Sequence, residues 1–221
     1  MKSSAIITIS ALAGFFLFIA GLMFFMGAVA PGNMDAGDQI ARLAQNRTVN
    51  FVYVVSVYLC YVFLLPVTVI LTIQLYPYRP IGAVFAGTLL CLGGGVELAG
   101  TLASLSQWAY VIPEGLQGNE AAIGLFQTLT LQFLLLDFGG VALVYVAAIF
   151  FASLLWRVHR PTSYWLLLST FILLIGIPVT MVAAGAGAIL PALSIMAYAA
   201  ACPGFGLAIS KLRKENSSDR R

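Results

Sequence analysis

The sequence predicts an all-α polytopic membrane bundle of six transmembrane helices, with the N-terminus and the C-terminus both cytoplasmic. Three observations carry this. Of 221 residues, 61% are hydrophobic and 9% charged, against roughly 25% charged in soluble domains, so lipid must be part of the solvent. The apolar residues gather into six stretches, 5–30, 51–75, 81–106, 126–156, 164–184 and 189–210, each long enough at ~1.5 Å per residue to cross a ~30 Å hydrocarbon layer. An N-in arrangement puts Lys2, Arg79, Arg157, Arg160, Lys211, Arg213, Lys214, Arg220 and Arg221 on one side and leaves Arg42 and Arg47 on the other. Such a bias marks the cytoplasmic face.

The length fits a single transmembrane domain, 1–210, with a basic cytoplasmic tail, 211–221, whose polar composition predicts disorder. In the first span Ala28-Val29-Ala30 looks like a signal-peptidase site. The run is longer than an h-region of roughly 7–15 residues and Pro31 follows it, so the span is read as uncleaved. Between the first two spans, Asp35 or Asp38 can cap a short helix reaching Arg47, with Ile40, Leu43 and Ala44 on one face, as in a segment lying on the membrane surface. Asn46-Arg47-Thr48 matches a glycosylation sequon, which matters only in a eukaryotic secretory route. In the second span Tyr58, Tyr61, Leu65, Thr68 and Thr72 share one face, a pattern that serves interhelix packing more often than a cavity lining. Tyr76-Pro77-Tyr78-Arg79-Pro80 then makes a tight interfacial turn.

The third and fourth spans each carry one acid, Glu97 and Asp137, joined by a predicted loop from Gln107 to Gly124. A carboxylate inside the bilayer is expensive and faces a partner or a water-filled cavity. Counting ~1.5 Å per residue from each span's middle places Glu97 roughly 5 Å and Asp137 about 6 Å outside the midplane. Consecutive antiparallel helices are usually neighbours, so the two acids can face each other. Glu97, Thr101 and Ser104 share one helix face, and Gln127, Thr130, Leu134 and Asp137 form a stripe on the other helix. Together they predict a polar cleft open to the outside. The functional reading is a binding site for a proton, cation or amine; the plainer one is two protonated acids bonded within the bundle. Gly93-Gly94-Gly95 and Gly139-Gly140 are read as close-packing positions, and Gly139, Gly140, Ala147 and Ala148 also offer a face for a membrane partner. Beyond Trp156-Arg157-Val158-His159-Arg160-Pro161 the fifth span carries Pro178, and the sixth carries Pro191 and Pro203.

Several chemistries fall away. Cys60, Cys91 and Cys202 have neither metal nor redox spacing, and His159 is the only histidine, which excludes bis-His haem, a multi-histidine zinc site and a buried Ser-His dyad. The small positive charge sits at turns and ends, so it reads as topology and not as nucleic-acid binding. No catalytic residue, metal ligand or cofactor is assigned. Asp137-Phe138-Gly139 also lacks the glycine-x-glycine-aspartate signature of intramembrane aspartyl proteases.

The polar Ala44-Gln45-Asn46-Arg47 segment before the second span, the stretch Pro80 to Gly100 around Glu97, and Leu135-Leu136-Asp137 in the fourth span carry a resemblance. The layout resembles the bacterial six-helix "domain of unknown function 4386" family over most of the chain, mainly through hydropathy and spacing. That resemblance implies a bacterial inner-membrane location and no particular activity. Two function classes stay open: a protein that binds or transports a small cation, proton-coupled solute or amphiphile, and a non-catalytic accessory or scaffold subunit docked to another membrane protein or to its own copies. An intramembrane hydrolase using paired carboxylates is third.

Overall fold

The computed structural model describes residues 3–26, 35–182 and 189–218, apart from the side chains of Phe133, Leu134, Leu135, Asp137, 177–182 and 217–218. Among these residues every regular element is helical. The helices are α1 (Ser3–Phe25), α2 (Ala36–Gln45), α3 (Arg47–Leu75), α4 (Pro80–Ser106), α5 (Ile112–Leu116), α6 (Glu120–Leu155), α7 (Arg160–Val182) and α8 (Ile189–Ser218), with a π-helical turn at Gln107–Val111.

Six long helices form a ring in chain order, α1, α3, α4, α6, α7 and α8, and α8 closes it against α1. Small residues make the contacts, as expected where lipid gives helices no hydrophobic reason to associate. A Cβ on Gly14 of α1 would lie 2.7 Å from the Ala199 carbonyl oxygen of α8, and one on Gly21 would lie 2.9 Å from Met196 Cγ. Ring pairs fix the directions. Phe16 stacks on Phe63 at 5.8 Å and Phe24 meets Tyr53 at 5.9 Å, so α1 and α3 run antiparallel. Phe151 meets Phe205 and Tyr145 meets Tyr198, so α6 and α8 run parallel.

Large apolar side chains such as Phe15, Ile73, Ile81, Phe171 and Leu174 stay exposed on the outer surface. Outward apolar faces on this scale need lipid. Among the described residues five helices are long and apolar enough to cross a membrane: Ser3–Phe25, Arg47–Leu75, Pro80–Leu116, Phe138–Leu155 and Ile189–Asn216. The fifth predicted stretch corresponds to α7, helical over 23 residues, whose side chains are described only through Gly176. This is the architecture of a multi-pass membrane protein.

The two ends of the ring differ in charge. Tyr78 donates from its hydroxyl to Asn216 Oδ1 at 3.0 Å, and Lys211 Nζ donates to the Val158 carbonyl at 3.0 Å. The α3–α4 turn, the α6–α7 turn and the C-terminal part of α8 therefore share one end, which carries Arg79, Arg157, Arg160, Lys211, Arg213 and Lys214. The opposite end carries Arg42 and Arg47 together with Asp35, Asp38, Glu114 and Glu120.

Three expectations need correction. The predicted loop from residue 107 continues as helix to Leu116, and only Gln117, Gly118 and Asn119 turn the chain. The wide π turn precedes Pro113, whose missing N–H would interrupt an α ladder in any case. Gly118 supplies the left-handed step at φ +80°, and the Asn119 side chain caps α6 by accepting from Ala121 N at 3.1 Å and Ala122 N at 3.3 Å. Secondly, α2 does form, capped by Asp35 accepting from Asp38 N at 2.9 Å, but its apolar face packs on protein. Ile40 is buried with Val111, Ile112 and Phe126, and a Cβ on Gly115 would reach within 2.7 Å of Ile40 Cδ1. Thirdly, the tail predicted to be disordered is helical through Ser218, held by the Asn216 and Lys211 contacts. Lys2, Ala28-Val29-Ala30, Pro31 and residues 219–221 lie outside the described residues.

Candidate functional site

Glu97 sits in the middle of α4 with 6% of its surface exposed. It reaches that position because two glycines let α4 and α6 touch. A Cβ on Gly93 would lie 2.8 Å from the Gly140 carbonyl oxygen, and a Cβ on Gly140 would lie 2.5 Å from Glu97 Oε1. The carboxyl thus lies on the bare backbone of α6 at Gly140, where no side chain is in its way. The α4–α6 pair is antiparallel, as Phe85 and Phe150 at 4.8 Å also require. Counting from the Glu97–Gly140 contact puts Asp137 one helical turn away along α6, level with Gly100. The Asp137 side chain itself lies outside the described residues.

The remaining predicted residues separate. Thr101 and Ser104 are buried on the same face of α4 as Glu97, and Thr101 Oγ1 donates back to the Glu97 carbonyl at 3.0 Å and the Leu98 carbonyl at 2.9 Å. On α6, Gln127 is exposed and Thr130 half-buried. Of the small-residue face offered for a partner, Gly140, Ala147 and Ala148 are packed inside the bundle and only Gly139 stands open.

Glu97 also lines a central, partly open cavity of about 360 Å³ to which all six long helices contribute. Its wall is mainly apolar, with Leu17, Val57 and Val144 among the lining residues, and it includes Tyr61, Tyr145 and Tyr198. Of the six site residues predicted, only Glu97 belongs to that wall among the described side chains. Tyr145 and Ser194 share a 2.6 Å hydrogen bond between hydroxyls, and Ser194 donates on to the Ser169 carbonyl at 2.7 Å, a chain linking α6, α8 and α7. The Tyr198 hydroxyl is buried without a hydrogen-bond partner among the described residues. A buried, unsatisfied hydroxyl costs about 1–3 kcal/mol. Tyr61 comes from the stripe on the second span: it is buried, lines the cavity and, with Leu65, packs on Gly94.

Tyr145 and Tyr198 escaped sequence reasoning. An aromatic residue in an apolar span looks the same whether it fills a core or faces a void, and only ring closure between α1 and α8 decides. Among the described residues no group of three or more His, Cys, Asp or Glu side chains could hold a metal ion. Comparison with protein-family models, curated proteins and solved structures finds no match to this chain.

Chemically the cavity offers one carboxyl, at least one phenol in need of a partner, several π faces and an apolar body. A molecule with a protonated amine and a hydrocarbon part matches each of these, since a buried carboxylate needs a countercharge and aromatic faces attract cations.

Proposed function

We propose that this protein spans a bacterial cytoplasmic membrane six times, with both termini inside, and binds a small cationic amphiphile in its central cavity. The observation that supports this best is Glu97 at the wall of an otherwise mostly apolar space of about 360 Å³, a volume within the range of small-molecule sites. The amine faces the Glu97 carboxylate, and the hydrocarbon part fills the region lined by α1, α3 and α8. The Tyr198 hydroxyl gains the partner it lacks. The basic residues at one end of the ring support the orientation. Asp137, whose side chain lies outside the described residues, is the second acid that this reading would take in.

The test compares octylamine with its neutral counterpart octanol on the purified protein in mild detergent, read as the shift in the midpoint of heat unfolding. A ligand that binds only the folded state at about 100 times its Kd adds roughly 2.7 kcal/mol of stability. Octylamine is expected to stabilise the wild type and to lose most of that effect in Glu97→Gln, which keeps shape and hydrogen bonding but cannot charge. Octanol should act on both proteins alike. Equal shifts from amine and alcohol, or an undiminished amine shift in Glu97→Gln, would refute the reading.

A further inference from the structure

A second concavity lies at the basic end, on the outside of the ring. Arg79 closes the turn between α3 and α4, and Arg157 lies in the turn between α6 and α7. The antiparallel contact of α4 with α6, marked there by Phe85 against Phe150, brings both turns to one groove of about 380 Å³. Trp156 and Ser153 complete its polar rim, while Ile149, Leu154 and Leu167 form an apolar wall. Among the described residues no carboxylate lines it. Neither arginine side chain has an ion pair or hydrogen bond with any described residue. Glu215, the described acid at this end, is on α8 and is not part of the groove. Helices α4 and α7 begin at Pro80 and Arg160, so their positive dipole ends open on the same side.

Two guanidinium groups with no countercharge among the described residues, above a wall of Ile and Leu, call for an anion that carries its own hydrocarbon. We infer that this groove holds an anionic phospholipid, its phosphate between Arg79 and Arg157 and an acyl chain along Ile149, Leu154 and Leu167. The guanidinium fork suits phosphate oxygens in bidentate geometry. Trp156 then sits at headgroup depth, where indoles concentrate. Free phosphate shares the charge but gains nothing from the apolar wall. The groove shares no lining residue with the central cavity, which meets α6 further from the basic end, between Phe138 and Tyr145.

Trp156 is the reporter. The full chain carrying Trp108→Phe and Trp165→Phe keeps it as the sole tryptophan. This protein is placed in phosphatidylcholine vesicles containing either brominated phosphatidylglycerol or brominated phosphatidylcholine at equal mole fraction, and quenching of Trp156 is measured. The anionic lipid is expected to compete for the site roughly 25-fold better, at about fivefold per arginine near an anionic headgroup. Arg79→Gln with Arg157→Gln should bring the two lipids level, while Arg79→Lys with Arg157→Lys, which keeps the charge and hence the membrane orientation, should retain part of the preference. Equal quenching by both lipids in the arginine-bearing protein overturns the proposal without recourse to any arginine variant. Inorganic phosphate that displaces the quencher also overturns it, since the site would then recognise the free anion.

Discussion

The triplet Gly93-Gly94-Gly95 gives an internal experiment, because its three members meet three different surroundings. A Cβ on Gly93 would lie 2.8 Å from the Gly140 carbonyl oxygen, 2.9 Å from Val144 Cγ2 and 3.0 Å from Leu143 Cβ. The nearest atom is backbone and cannot swing aside, so α4 and α6 must part. On Gly94 the Cβ would meet Leu65 Cδ2 at 2.9 Å and Tyr61 Cδ1 at 3.0 Å, which are side-chain atoms; on Gly95 it would meet nothing within 4 Å. Each alanine gains the same helix propensity over glycine, about 1 kcal/mol, so this gain cancels when the variants are compared. What remains for Gly93→Ala is the overpacking cost of about 1–3 kcal/mol. Gly93→Ala should therefore be less stable than Gly95→Ala by that amount, a factor of roughly 5 to 150 in the folded-to-unfolded ratio at ~1.4 kcal/mol per decade. Gly94→Ala should fall between them, because Leu65 can rotate away more easily than a backbone carbonyl. Unfolding in mixed micelles of rising dodecyl sulfate content, followed by helical ellipticity, measures the differences. Equal midpoints for Gly93→Ala and Gly95→Ala would refute the close α4–α6 contact and, with it, the seat of Glu97.

Two further outcomes follow from the ends of the ring. A cysteine at Gln117 should react with an impermeant thiol reagent added outside intact cells, whereas one at Ser217 should not; the reverse pattern would invert the proposed orientation. His159, in the α6–α7 turn, shares a 2.7 Å hydrogen bond with Thr162 Oγ1 through Nδ1, and burial, helped by the Lys211 charge, holds its pKa below the ordinary value. The folded state thus favours the neutral ring, and this contribution to stability is fully present above the unfolded pKa of about 6.5 and is lost as the pH falls through the lower folded value. Stability measured from neutral to mildly acidic pH should decline in that window for the wild type and stay flatter in His159→Gln; parallel profiles would contradict the assignment.

The parts of this fold legible in the sequence are those that one helix decides by itself. Long apolar runs must be helical in lipid, because no water is there to satisfy an open backbone. Asp35 or Asp38 before an apolar stripe announces α2, though only the structure picks Asp35 as its cap, and Glu97 stands out as the one ionisable side chain in its span. What escaped is decided by contact between distant segments. Pro113 and Gly115 are loop signals, yet Ile40 packs on Gly115 and the chain stays helical past both. Lys211 to Ser218 is polar enough to be disordered, yet contacts to Val158 and Tyr78 carry α8 onward. Thr101 and Ser104 are buried with Glu97 as their spacing predicts, whereas Gln127 is exposed, because helical phase gives the face a residue shares and not what covers that face.

The cavity itself follows from where the glycines are not. Close contacts run along the ring: Gly14 and Gly21 of α1 on α8, Gly94 of α4 on α3, Gly93 of α4 against Gly140 of α6, and Gly176 of α7 on α8. Each of these draws one helix against its neighbour. The central space is faced instead by long side chains, among them Leu17, Tyr61, Tyr145 and Tyr198, which hold their helices at side-chain distance. Helices drawn together at these four pairs, α1–α8, α3–α4, α4–α6 and α7–α8, cannot also close on the central space without removing those side chains. Glu97 belongs to both arrangements, since its carboxyl covers Gly140 at the α4–α6 contact and borders the central space. Any ligand that engages this carboxyl therefore touches the side chain resting on one of the ring's closest backbone approaches.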